Sequence, residues 1–404
     1  MTTRKQKILF IAEAVTLAHV GRMLALATSL DRQRYDVRVA ADPRYAKAIG
    51  TQPCEQVAIS TISGEHFFAA LDQGKPIYNK KILVDYVEED LSLIDSFKPD
   101  VVVGDFRLSL AASARLAKVP YINVTNAYWS PYAKIKYPVP EIPLTRAMGV
   151  TVAQWLFNLA RPIAFAMHTQ PINAMLRHFG LPRVANDLRH AYTEGDWTCY
   201  ADSPELVPMQ SLPANHRFLG PIHWSAPIPL PEWWNRIPTD KPVVYVNLGS
   251  SGQGDLLPPV LQALASQSIC IIAATAGRTQ ISSDTENIFL TEFINAEAAC
   301  KRADVVICNG GSPSCYLALA HDKPSLSLPV NLDQYLNAQL FADAGVSLTL
   351  RSGQLDLQKL RQSVQSLLTQ SAIQQRASAL SKRVYNHNAS DTFQKVLNEC
   401  IGQQ

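Results

Sequence analysis

Residues 293–337 read FINAEAACKRADVVICNGGSPSCYLALAHDKPSLSLPVNLDQYLN, and the order of elements in this stretch decides the fold. Asp304 to Cys308 is a short, largely β-branched run of the kind that forms a buried parallel strand. It stops at Asn309-Gly310-Gly311-Ser312 and passes into a helical pattern over Pro313 to Ala320, with Pro313 in the first turn, where no N–H is missed. A strand, a glycine turn and a helix start in that order aim backbone N–H groups and the positive end of a helix dipole at one point, which suits a diphosphate. Taken alone, Gly310-Gly311 is equally a tight βα turn. The next segment decides between the two. A second strand pattern, Ser325 to Leu328, ends in Pro329-Val330-Asn331-Leu332-Asp333-Gln334, so a carboxylate and an amide lie beyond a strand's C-terminal end, where open α/β sheets bind ligands.

Upstream, Val243 to Leu248 and Ile269 to Ala273 continue the parallel pattern. The first ends at Gly249-Ser250-Ser251-Gly252. The second runs into Thr275-Ala276-Gly277-Arg278, whose guanidinium is either a bidentate phosphate ligand or a solvated surface group. Residues 221–242 are proline-dense and read as a linker to a separate α/β half. In that half Lys7 to Ala12, Tyr35 to Ala40, Pro99 to Asp105 and Tyr121 to Val124 are strand patterns, and Val20 to Leu30 is helical. The βαβ order implies a parallel sheet. His19, in the loop after the first strand, and Asp105, at the end of a later one, then crown the same sheet edge. Read singly, His19 is a helix-start residue bonded to backbone, and Asp105 is an N-cap for the next helix. Residues 356–397 are helical by periodicity.

A chain of 404 residues with 47% hydrophobic and 18% charged content is ordinary for a globular protein of two or three domains. Net charge is +3 with scattered basic residues, so no footprint for nucleic acid is present. The seven cysteines show no paired C-x-x-C spacing, which argues against zinc or a disulfide framework and for a reducing, cytoplasmic setting. Glu13 interrupts the N-terminal apolar run, which therefore reads as a buried strand and not a signal peptide. Gln154, Asn158, Arg161 and Pro162 break the longest apolar stretch, residues 149–167, so no membrane span is expected, which leaves room for peripheral membrane contact.

The stretch at 293–337 resembles the donor-nucleotide motif of GT-B glycosyltransferases, in the family of plant UDP-glycosyltransferases, macrolide glycosyltransferases and bacterial rhamnosyltransferases. The likeness rests on the aromatic-aliphatic pair Phe293-Ile294, the glycine turn Asn309 to Ser312 and the pair Asp333-Gln334. Ala18-His19-Val20-Gly21-Arg22-Met23-Leu24 is similar to the family's Gly-His-Val-x-Pro-x-Leu, without its Gly and Pro. The resemblance implies a GT-B α/β fold, with two Rossmann-like domains facing each other across a cleft. Its expected parts are an acceptor-binding domain over 1–220, a linker over 221–242, a nucleotide-sugar domain over 243–380 and a helix over 381–404 returning to the first domain. It also implies His19 as general base, Asp105 as its orienter, and donor contacts from Gly249, Ser250, Ser251, Arg278, Phe293, Ile294, Asn309, Gly310, Gly311, Ser312, Asp333 and Gln334. The aromatic and apolar region 126–200 would line the acceptor pocket, with Tyr128 and Trp129 as candidate contacts.

The function implied is an inverting glycosyl transfer without metal or cofactor, from a dTDP- or UDP-sugar co-substrate to a hydroxyl of a hydrophobic small-molecule or lipid-like acceptor. Two departures matter. Asn309 stands where many members carry histidine, and it donates a hydrogen bond but carries no charge. Leu317 stands where UDP-glucose users carry a glutamate that grips the ribose. A buried 2′-hydroxyl left without that partner costs about 1–3 kcal/mol, so the sequence leans to a dTDP-deoxysugar such as dTDP-rhamnose. Two other readings share these motifs: a nonhydrolysing sugar-nucleotide epimerase of the same fold, which needs no acceptor, and a noncatalytic nucleotide-sugar-binding partner protein, which has no use for a base and its orienter.

Overall fold

The computed structural model describes residues 4–249, 254–277, 279 and 285–402. The expected donor contacts Ser250, Ser251 and Arg278 lie outside these residues. Contacts divide the chain into two units, one made of 1–135, 155–224 and 387–404, the other of 136–154 and 225–386.

In the first unit β1 (Gln6–Ala12), β2 (Tyr35–Ala41), β3 (Glu55–Ala58), β4 (Val101–Asp105), β5 (Tyr121–Thr125), β6 (Trp197–Tyr200) and β7 (His216–Phe218) form one sheet. Their order is β3-β2-β1-β4-β5-β6-β7, with every pairing parallel. β1 shows why its sequence is an unbroken apolar run. Ile8, Phe10 and Ala12 enter a core on one face of the sheet, and Leu9 and Ile11 enter a second core on the other, so the strand's period of two finds no wet side. The helix Ala389–Gly402 lays Phe393, Val396 and Leu397 into the first of these cores.

The second unit holds β8 (Val243–Asn247), β9 (Cys270–Ala274), β10 (Ile288–Thr291), β11 (Val305–Cys308), β12 (Ser325–Ser327) and β13 (Ser347–Thr349). They are ordered β10-β9-β8-β11-β12-β13, again all parallel. In each unit the order runs outward in both directions from a central pair, β1/β4 and β8/β11. That is the Rossmann arrangement, whose ligands sit where the strand order reverses.

One expected boundary needs correction. The span 1–220 is not a single domain, because 136–154 belongs to the second unit. Glu141 holds it there. Its carboxylate accepts from Tyr335 Oη at 2.5 Å and pairs with Arg351 Nη2 at 2.9 Å, and its backbone N–H donates to the Val330 carbonyl at 3.0 Å. These contacts join residues about 190 positions apart, which no local periodicity reports.

Candidate active site

At the first reversal point Ala12 of β1 lies in register with Asp105 of β4, so the segment leaving β1 and the end of β4 are neighbours. The helix after β1 begins earlier than its periodicity indicates, at Leu17, and His19 stands in its first turn instead of in a loop. His19 Nδ1 lies 2.8 Å from Asp105 Oδ1, with the imidazole 18% exposed and the carboxylate 1%. The N-cap reading of Asp105 fails, since the next helix starts only at Leu110.

Arg22, which occupies the position of the family's proline, completes the group. Its Nη2 is 3.1 Å from Asp105 Oδ1 and 3.1 Å from His19 Nδ1, and its Nη1 donates to Asn126 Oδ1 at 2.9 Å. Its Nε is 2.8 Å from Asp105 Oδ2, an ion-pair contact outside hydrogen-bond geometry. Guanidinium only donates, so His19 Nδ1 cannot both donate to Asp105 and accept from Arg22. The shorter contact, to a carboxylate, favours the proton on Nδ1 and leaves the Nε2 lone pair for a substrate proton.

Phe106, immediately after Asp105, stacks on the imidazole with centroids 5.2 Å apart and planes 11° from parallel. It does so at φ 59°, in the left-handed region, a conformation that costs a non-glycine residue roughly 1–2 kcal/mol. Tyr192 packs edge-on to Phe106 at 5.3 Å, and Trp129 edge-on to Tyr192 at 5.2 Å. Trp129 is thus linked to His19 through two rings. Tyr128 is fully buried and presents no face to a ligand, which corrects its reading as an acceptor contact.

At the second reversal point Cys308 of β11 pairs with Asn247 of β8, which sets Gly249 beside the turn Asn309 to Ser312. Gly249 has φ 68° and donates its N–H to Asn247 Oδ1 at 2.9 Å. Gly310 has φ 79°, and a Cβ there would lie 3.0 Å from Ala338 Cβ and 3.2 Å from the Gln334 carbonyl. Gly310→Ala is therefore expected to destabilise the protein by about 1–2 kcal/mol from backbone strain alone, measured by denaturant unfolding.

The Asn309 amide oxygen accepts the Gly311 N–H at 3.0 Å, so this side chain shapes the turn. Gly311 caps the helix Ser312–Ala320 without a side-chain hydrogen bond, and Pro313 removes one of its first-turn N–H donors. Phe293 is 42% exposed while Ile294 is buried, one residue facing out and one anchoring. Gln334 is buried and spends its Oε1 on the Val330 N–H at 2.9 Å. Asp333 occupies the first turn of the helix Leu332–Asp343. Among the described residues no group of three or more His, Cys, Asp or Glu side chains could hold a metal ion, and no helix is long and apolar enough to cross a membrane.

Comparison with known proteins agrees with this geometry. Residues 259–392 match the glycosyltransferase family 28 C-terminal domain. A "PGL/p-HBAD biosynthesis glycosyltransferase" of Mycobacterium tuberculosis is 45% identical over 379 residues, covering 94% of this chain and 89% of that protein. The chain belongs to this glycosyltransferase family. A "PGL/p-HBAD biosynthesis rhamnosyltransferase" of Mycobacterium bovis is also 45% identical, over 94% of this chain and 85% of its own length. An "Inactive PGL/p-HBAD biosynthesis glycosyltransferase" of Mycobacterium bovis is 48% identical over 65% of this chain and 71% of that protein. Among solved structures the spinosyn forosaminyltransferase superposes with a TM-score of 0.73 at 16% identity, covering 99% of this chain and all of that one. The glycosyltransferase thus has the GT-B fold of two Rossmann-like domains.

Sequence reasoning missed Arg22 and Phe106. The first was within reach of a helical-wheel argument, since it lies three residues after His19 and so on the same face. Phe106 had no local signal, because a left-handed aromatic is visible only in the backbone.

Proposed function

We propose that this glycosyltransferase moves a deoxysugar, rhamnose in the first instance, from a dTDP donor to a hydroxyl of a hydrophobic, lipid-like acceptor in the cytoplasm. The observation that carries the reading is the His19–Asp105 contact of 2.8 Å with the carboxylate buried. His19 Nε2 takes the acceptor's hydroxyl proton, the oxygen attacks the anomeric carbon, and the bond to the diphosphate breaks with its electron pair leaving on dTDP. Attack opposite the leaving group inverts the anomeric carbon. Asp105 holds the Nδ1–H tautomer and stabilises the imidazolium that forms. The departing charge meets the N-terminus of Ser312–Ala320, with Gly249, Asn309, Gly310 and Gly311 shaping the approach. Phe293 and Ile294 border the base, Asp333 and Gln334 the sugar, and Trp129 with Phe106 and Tyr192 the acceptor. No step requires a metal.

The donor assignment rests on half-buried Leu317 in that same helix and on the rhamnosyltransferase among the relatives. A screen of dTDP-rhamnose, UDP-glucose and UDP-N-acetylglucosamine with hydrophobic alcohols, read by mass spectrometry, tests it. Transfer is expected only with acceptor present and fastest from dTDP-rhamnose. Leu317→Glu is expected to shift the preference toward the UDP donor by about 10-fold, a change on the order of 1–3 kcal/mol. A faster reaction of the wild type with UDP-glucose would remove the ribose argument, and an isomerised sugar nucleotide without acceptor would replace transfer by epimerisation.

A further inference from the structure

The helical stretch Pro143–His178 is broken at Gly149, which has φ 72°, and beyond the break it is apolar on two faces. Phe165, Ile172, Met175 and Leu176 are buried on the inner one. On the outer one, within the first unit, Trp155 is 63% exposed, Leu159 60%, Ile163 67% and Met167 51%. They recur every fourth residue and so form one stripe roughly 18 Å long. An ordinary surface helix turns charge to water on that side, and a contiguous exposed apolar strip of this kind marks an interaction surface.

Charge says what the stripe meets. Between Glu141 and Asp187 the sequence has no acidic residue, yet it holds Arg146, Arg161, Arg177 and Arg183. The chain as a whole has nearly balanced charge, 37 basic against 34 acidic residues, so this exclusion is local. Met167, the last residue of the stripe, lines a cavity of about 780 Å³ that also receives Lys75, Lys80, Arg177 and Arg183 and no carboxylate. All four of these cations are on exposed residues. An apolar stripe with a tryptophan at one end and a cationic cluster at the other fits the boundary between lipid headgroups and acyl chains. A soluble acidic partner would use the cations and leave the stripe in water. A second copy packed stripe to stripe would cover the apolar residues but bring the cations no carboxylate from this stretch.

We propose that this face docks the protein on an anionic bilayer, with Trp155, Leu159, Ile163 and Met167 entering the interface and the four cations meeting lipid phosphates. The proposal goes beyond the transfer reaction and does not depend on which sugar or acceptor the enzyme uses. Full-length protein is mixed with phosphatidylcholine vesicles, with and without phosphatidylglycerol, and sedimented. Binding is expected to the anionic vesicles and to weaken as salt rises. Leu159→Ser/Ile163→Ser should abolish it. Lys75→Glu/Arg177→Glu/Arg183→Glu should lower affinity for anionic vesicles by about 5-fold or more per cation removed. Because every substituted side chain is exposed, unchanged melting temperature and circular dichroism serve as fold controls. Two results overturn the proposal: no sedimentation of the wild type with either vesicle, or a wild-type dimer in light scattering that Leu159→Ser/Ile163→Ser dissolves while vesicle binding stays absent.

Discussion

His19→Ala is expected to lower turnover by about 10²–10⁴ while nucleotide affinity stays within about twofold of the wild type. The two quantities separate because His19 belongs to the first unit and every described residue proposed to touch the donor to the second. Rates of transfer from dTDP-rhamnose and calorimetric binding of dTDP would measure them. A loss confined to nucleotide affinity would move His19 from base to binding residue, and turnover within tenfold of the wild type would end its assignment as base. Asp105→Asn should reproduce most of the deficit for a reason specific to this site. With the carboxylate gone, Arg22 Nη2, already 3.1 Å from Nδ1, becomes the natural donor to that nitrogen. The proton then moves to Nε2, the atom that must accept, and the base has the wrong tautomer. The inactive relative at 48% identity gives the measurement its point, since overall kinship does not by itself establish turnover.

The strand, turn and helix order of the second unit was legible because its signals are local. Asp304 to Cys308, the glycine turn and the helix after it are consecutive in sequence, and the structure places them as β11, the turn at Gly310 and Ser312–Ala320. The pairing of His19 with Asp105 was legible by a different route, from two strand ends that a parallel sheet must bring together, although they are 86 residues apart. The features that escaped have no periodic or local signature. The transfer of 136–154 to the second unit depends on one carboxylate meeting Tyr335 and Arg351. Glu13 was visible as an interruption in an apolar strand, but its partners come from three other segments.

Those partners set up the second large effect, in Arg107. Its guanidinium is fully buried, with Nε 3.0 Å from Asp90 Oδ1, Nη1 3.3 Å from Glu13 Oε2 and Nη2 2.8 Å from Glu89 Oε2. It also lies over the Tyr86 ring at 3.7 Å and donates to the Ser60 carbonyl at 2.7 Å. Arg107→Met is expected to destabilise the protein by about 3–5 kcal/mol, because it leaves buried carboxylates uncompensated. The size of that deficit should depend on pH. Burial pushes Glu13 up from 4.5 to about 7 against the pull of Arg107, and burial also raises Asp90. A carboxyl raised on folding gives stability that is fully present below its unfolded value of about 4.5 and is lost as pH rises through about 7. Without Arg107 the carboxyls resist ionisation further, so the deficit in urea unfolding should narrow toward pH 5 and widen toward pH 8. A deficit independent of pH would show that lost packing, not uncompensated charge, is the cause. Turnover should fall as well, even where the variant remains folded. Arg107 roots the exit of β4 two residues beyond Asp105, and between them Phe106 is held in its left-handed conformation against the imidazole. Freed from that anchor, Phe106 gains by leaving the left-handed region, and His19 loses the ring that fixes its plane.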